Sequence, residues 1–232
     1  ERYGGMIMST WMDRPLSIAG RVLVKEGCGI ATKLVDLNRD AVLIPNMPIH
    51  FNRDINDGFK FNPQVDMLPL YGNAEAKGGL MKEIAAAAGV NEEDIVGHDL
   101  FLYSRMPGSV WGAQNEYFSC GRIDDLECAY CCTRGFLDAE TSASVPVLCV
   151  FDSEEVGSSS VQGAASDLLE NLLTRICKAM GWDLMEMLSN SFMVSADNAH
   201  AVHPNHPEFA DATNAPVVNG GVVLKFNANQ RY

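Results

Sequence analysis

An apolar run at residues 145–151, Val-Pro-Val-Leu-Cys-Val-Phe, stops abruptly at Asp152-Ser-Glu-Glu-Val-Gly-Ser158. A nearly unbroken run of this length has the composition of a strand buried on both faces, as in a parallel sheet covered by helices. A strand that leaves the core here delivers Glu154 and Glu155 to the carboxyl end of the sheet, where open α/β sheets hold their ligands. Adjacent side chains diverge, so one glutamate can bind a metal while the other takes up a proton. Two further acidic stations flank the run. Gly121-Arg-Ile-Asp-Asp-Leu126 precedes it, and Ser195-Ala-Asp-Asn-Ala-His-Ala-Val-His-Pro-Asn205 follows.

The surrounding pattern alternates. From Asp124 onward, Leu126, Ala129, Tyr130, Thr133 and Phe136 recur at helical spacing, which puts Asp124 and Asp125 at or just before a helix N-terminus. A long helix is expected after residue 163, with Ala164, Leu168, Leu169, Leu172, Leu173, Ile176 and Met180 on a core-facing stripe and Gly181 as its stop. Residues 191–197 repeat the design of strand followed by carboxylate, ending on Asp197, and residues 222–226 form another strand-like run. Strand, helix and strand in alternation predict an α/β core, a mostly parallel sheet with flanking helices.

The first half differs in style. Residues 21–24, 32–37 and 41–44 are short β-branched runs separated by Gly27, Gly29 and Asn38-Arg39-Asp40, a hairpin-rich β module. Residues 59–79 carry Pro63, Pro69, Gly72 and the pair Gly78-Gly79 and read as irregular connection. Residues 80–89 form a short helix ended by Gly89, and residues 99–103 one more strand. The interruption at Pro107-Gly108-Ser109 sets the expected division: a β-rich domain at 1–110 and a partial α/β catalytic domain at 111–232.

Charge narrows the partners. A formal net charge of −13 repels nucleic acid and anionic membranes and leaves peptides, small molecules or other subunits. No apolar run is long enough to span a membrane and no signal architecture opens the chain, so the cytoplasm is the expected compartment. The odd count of 7 cysteines reads as reduced thiols. Cys128-Ala-Tyr-Cys131 has metal-knuckle spacing without a second pair, so it is expected to be thiols on a buried helix. The chain opens on Glu1 within what looks like an ordered segment, which suggests a fragment of a longer protein.

Carboxylates at the ends of neighbouring buried strands can converge on a divalent cation. Asp124, Glu155 and Asp197 are suitably placed for this, and Glu154 remains beside them as a general base. On spacing alone, helix capping and strand-end solvation explain the same acids.

The wording of the three acidic motifs goes further. Together they resemble the M18 family of metallo-aminopeptidases, the aspartyl aminopeptidase group. Tyr3-Gly-Gly, Ser9-Thr-Trp-Met-Asp-Arg14, Ile49-His50 with Arg53-Asp-Ile-Asn56, and Lys225-Phe-Asn-Ala-Asn-Gln-Arg-Tyr232 look like that family too, and residues 59–103 carry the resemblance least. The resemblance implies a site for two divalent ions, most commonly Zn2+, that removes an N-terminal residue, aspartate or glutamate above all, from a peptide. It implies that Asp124 bridges the ions, that Glu155 and Asp197 each bind one, and that Glu154 is the base. It places His203, Lys225 and Tyr232 around the substrate, with Lys225 as counter-charge to an acidic side chain, and His200 in a supporting role. It makes the β module an inserted domain that builds subunit contacts in a homo-oligomer of dimers, with His50 reaching a neighbouring subunit's active site to stabilise the tetrahedral intermediate. The family also carries a metal-binding histidine on either side of the region matched here. Only Asp124, Glu155 and Asp197 of the ligand set are therefore present, and this piece alone is expected to be inactive. Asp125 stands where many relatives have asparagine.

Two other readings compete. One is a noncatalytic assembly module that keeps the subunit contacts while its acidic cluster is vestigial. The other is a serine hydrolase using one of Ser158, Ser159 or Ser160 with His200 or His203, but the sequence has no nucleophile-elbow motif there.

Overall fold

The computed structural model describes residues 3–140 and 143–226, which divide into two compact units. The first unit holds residues up to 121 together with 153–165. Its centre is strand β1 (Pro15–Glu26), in which Leu16, Ile18, Val22 and Val24 are buried while Arg21 and Lys25 face solvent. That period of two follows from the pleat, which sends alternate side chains to opposite faces. Strand β2 (Gly29–Asp36) returns antiparallel through the two-residue turn at Gly27 and Cys28, with Glu26 opposite Gly29 and Gly27 at φ +58°. Strand β3 (Val42–Leu43) pairs with Pro15 and Leu16, and a later strand, β4 (Ile95–Tyr103), runs antiparallel along β1 from Ser17 to Val24. Gly20, opposite Leu100, permits the close approach of β4, because a side chain there would collide with the Asp99 carbonyl.

Between β3 and β4 lie a single helical turn, α1 (Pro63–Asp66), and helix α2 (Leu80–Ala88). Helix α2 ends where expected: Gly89 adopts φ +67° and donates its N–H to Ala86, which satisfies a terminal carbonyl. The helix buries Ile84 and Ala85, and Ile84 joins Leu16, Val22, Val35, Val42 and Ile44 in one core. A fork of hydrogen bonds fixes its outer side. The Arg39 guanidinium donates through Nε to Glu83 Oε1 at 2.7 Å and through Nη2 to Oε2 at 2.6 Å, and the Tyr71 hydroxyl donates to Oε2 at 2.8 Å. The Arg39 hydrogen bonds hold the Glu83 carboxyl below its ordinary range. Because Ile84 is 0% exposed, Ile84→Ala leaves a cavity at the helix–sheet contact. It is expected to cost about 2–5 kcal/mol of first-unit stability, measured as a shift in the urea midpoint at constant m-value.

A small hairpin follows, β5 (Ser109–Trp111) with β6 (Tyr117–Ser119), in which the Trp111 and Tyr117 rings lie 4.7 Å apart and the indole N–H donates to Ser119.

The second unit contains helix α3 (Ile123–Asp138), helix α4 (Leu168–Met180) and helix α5 (Leu184–Ser189). Gly181 at φ +72° ends α4, and the Asp183 carboxylate caps α5 by accepting the Glu186 N–H. Cys177 is buried with its sulfur 3.5 Å from the Met187 sulfur, which ties α4 to α5.

The molecule is mixed α/β, and the mostly parallel sheet expected from the sequence is not seen among the described residues. Every strand pair among the described residues is antiparallel. Residues 145–151, 191–197 and 222–226 form no strand, and Val145, Val150, Phe192, Val194, Val222 and Phe226 are all exposed. The α4 stripe expected as core is likewise open, with Leu168, Leu172, Ile176 and Met180 exposed. The physical reason is partnership. A strand's N–H and C=O groups and both its faces need neighbours, and apolar composition measures the need without supplying them. Cys128 and Cys131 do lie on a helix, α3, but Cys131 is exposed rather than buried.

Candidate metal centre

Two segments of the second unit build the site. Helix α3 starts irregularly: Arg122 sits in the left-handed region at φ +65°, Asp124 has ψ 114°, and the Asp124–Asp125 peptide is cis. The two acids therefore stand ahead of the regular helix, as the apolar spacing after them predicts. From far along the chain, residues 195–202 bring in Asp197. Asp124, Asp125 and Asp197 each present a carboxylate oxygen, all within 4.8 Å of one another and all on exposed residues.

Asn198 holds this convergence in place. Its side-chain N–H donates to Glu127 Oε2 at 3.2 Å, and its amide oxygen accepts the Cys128 thiol at 3.4 Å, so both ends of one amide grip the first turns of α3. Burial, followed by the hydrogen bond to Asp125, pushes the Cys128 thiol up to about 12. It stays protonated and is a donor rather than a soft metal ligand. Lys225 closes the far side. Its ammonium donates to Asp197 Oδ2 at 3.3 Å and to the Asn198 carbonyl at 2.8 Å. Sequence reasoning missed Asn198 and Cys128 as positioning groups, and it left Asp125 out of the ligand set, whereas its carboxylate joins the cluster.

The donors suit a cation. Three carboxylates within reach of one another form an all-oxygen set for a hard or borderline divalent ion, and such an ion would relieve their mutual repulsion.

The remaining candidates fall elsewhere. Glu154 and Glu155 belong to the first unit, on the exposed 3-10 turn Glu154–Val156, which is flanked by Ser153 and Gly157 in left-handed conformations. Gly4 at φ +64° lies against this turn, where a Cβ would come 2.7 Å from Glu155 Cβ, so the missing side chain at Gly4 permits that packing. His50 is exposed in a first-unit turn closed by the Phe51 N–H to Pro48, with Met47, Ile49 and Phe51 exposed around it. His203 is exposed in the second unit, in a turn with His206. Tyr232 lies outside the described residues.

Known proteins of similar fold and sequence bear on this arrangement. The family model described as aminopeptidase I zinc metalloprotease (M18) matches residues 1–232. A probable M18 family aminopeptidase 2 of Clostridium acetobutylicum is 46% identical over 241 residues, covering 100% of this chain and 56% of the relative. Among solved structures, a chain of the Ape4 and Nbr1 complex determined by cryo-EM superposes with a TM-score of 0.88 at 34% identity, over 100% of this chain and 50% of that one. A chain of the S. cerevisiae mApe1 dodecamer superposes at 0.73 with 26% identity, over 93% and 51%. The chain spans about half the length of the curated relatives it matches. With a family model matched along its whole length, the chain belongs to the M18 family of zinc metallo-aminopeptidases.

Proposed function

We propose that this chain is the central portion of a metallo-aminopeptidase that removes acidic N-terminal residues from peptides. The convergence of Asp124, Asp125 and Asp197 in a chain of this family is the observation that carries the reading. Asp124 and Asp197 from the cluster would hold a divalent cation, zinc by family, and the family resemblance adds Glu155 as a ligand and a second cation. When bound, such ions polarise the scissile carbonyl and acidify a water molecule. Glu154, next in sequence to the ligand Glu155, accepts the proton that water gives up and returns it to the leaving amine.

His203, Lys225 and Tyr232 surround the substrate. Lys225 already compensates one carboxylate, Asp197. Once Asp197 is engaged as a ligand, the ammonium is available to the acidic side chain of the substrate's first residue. Lys225→Ala in the full-length protein is expected to lower kcat/KM on aspartyl and glutamyl substrates by about tenfold or more and to leave neutral substrates little affected. Equal losses on both classes would remove the charge-pairing role.

Three unpaired apolar runs support the rest of the architecture. Residues 145–151, 191–197 and 222–226, which form no strand here, have the composition to become strands of a mostly parallel sheet once partnered. The β-rich part, residues 1–110, is an inserted domain that joins subunits into a homo-oligomer built from dimers. Two exposed features favour this. The outer face of the sheet presents Ile30, Leu34 and Phe101, and the turn carrying His50 is rimmed by Met47, Ile49 and Phe51. From that rim His50 reaches the active site of a neighbouring subunit and donates to the developing oxyanion. Among the described residues no helix is long and apolar enough to cross a membrane, and the net charge of −13 repels nucleic acid. A cytoplasmic setting is part of the same proposal.

A further inference from the structure

His203-Pro-Asn-His206 folds into a self-contained turn. The His206 N–H donates to the His203 carbonyl at 3.1 Å, with Pro204 and Asn205 at the two central positions, residue types suited to such a turn. Closing the turn brings the two imidazoles together, with ring centroids 5.2 Å apart and planes tilted by 43°. The stack continues, because the His206 ring lies 5.7 Å from Phe209, and His206 Nδ1 is 3.0 Å from Glu208 Oε1. His206 is thus held by a ring on one side and by a carboxylate at its own nitrogen.

With the His203 ring held in this orientation, the turn also sets its tautomer. The Asn205 N–H donates to His203 Nδ1 at 3.2 Å. A neutral imidazole has one donor and one acceptor nitrogen, so an acceptor at Nδ1 puts the proton on Nε2. Nδ1 is occupied by the turn, and the exposed edge of the ring presents an Nε2–H donor. A donor of that kind suits a substrate oxygen and cannot serve as a base.

We propose that His206 is the positioning residue of His203: its ring, anchored by Glu208 and Phe209, holds the His203 imidazole so that Nε2–H faces a substrate oxygen. The consequence for turnover rests on the aminopeptidase reading, whereas the consequence for the tautomer does not. The test uses the full-length protein labelled with 15N-histidine, with His203 assigned by a His203→Gln variant and with long-range proton–nitrogen spectra recorded alongside steady-state kinetics on an aspartyl peptide. Wild type is expected to show His203 as a single Nε2-protonated tautomer. His206→Ala is expected to give tautomer averaging at His203 and a drop in kcat of about tenfold with KM little changed, and His206→Phe, which keeps a ring face, restores both. An unchanged His203 tautomer in His206→Ala overturns the proposal, as does averaging in His206→Phe equal to that in His206→Ala. If no variant cleaves peptides but the tautomer responds as expected, positioning stands and the aminopeptidase reading falls.

Discussion

Glu154→Gln in the full-length protein is expected to lower kcat by about 10²–10⁴-fold while metal content and KM stay close to wild type. Glutamine keeps the size and hydrogen-bonding reach of glutamate but cannot take a proton at neutral pH. The residue sits in a short turn whose backbone is closed by the Gly157 N–H to the Glu154 carbonyl at 2.8 Å, a bond that the substitution leaves intact. Turnover within a few-fold of wild type would assign the base elsewhere.

Asp124→Ala is expected to have the other large effect. Asp124 stands where its carboxylate meets those of Asp125 and Asp197, and if it bridges the two proposed cations its removal would weaken both positions together. Metal affinity should fall by more than about 10²-fold, beyond the 10–100-fold typical of losing a group that merely orients a ligand. Asp125→Asn serves as the contrast. It retains an oxygen acceptor and is expected to keep its metal, which separates a ligand from an acid that only shares the neighbourhood. Metal loss in Asp125→Asn with retention in Asp124→Ala would reverse the two assignments. Elemental analysis of both variants after dialysis reads this directly.

What the sequence disclosed follows the range of the forces involved. The β1–β2 hairpin, the Gly89 stop of α2 and the placement of Asp124 ahead of α3 were legible because each depends on a few adjacent residues. The run at 145–151 was read as a buried strand from its apolar composition, but it forms none here, since strand formation depends on neighbours that its own residues do not specify. The same holds for the exposed stripe of α4. The clamp of Asn198 on Glu127 and Cys128 joins residues about seventy positions apart, and no local pattern announces it. Lys225 was read from a motif as a substrate group, and the fold adds that its ammonium rests on Asp197. The His203–His206 stack was within reach, because Pro-Asn between two histidines is a turn signal.

The central claim is that this acidic cluster serves a metal-dependent aminopeptidase. The measurement that tests it most directly is metal content by elemental analysis of the full-length protein, taken with release of the first residue from an aspartyl peptide before and after chelation. About two divalent ions per chain, cleavage abolished by the chelator, and recovery on adding zinc are expected. Undiminished cleavage by protein stripped of metal would contradict it.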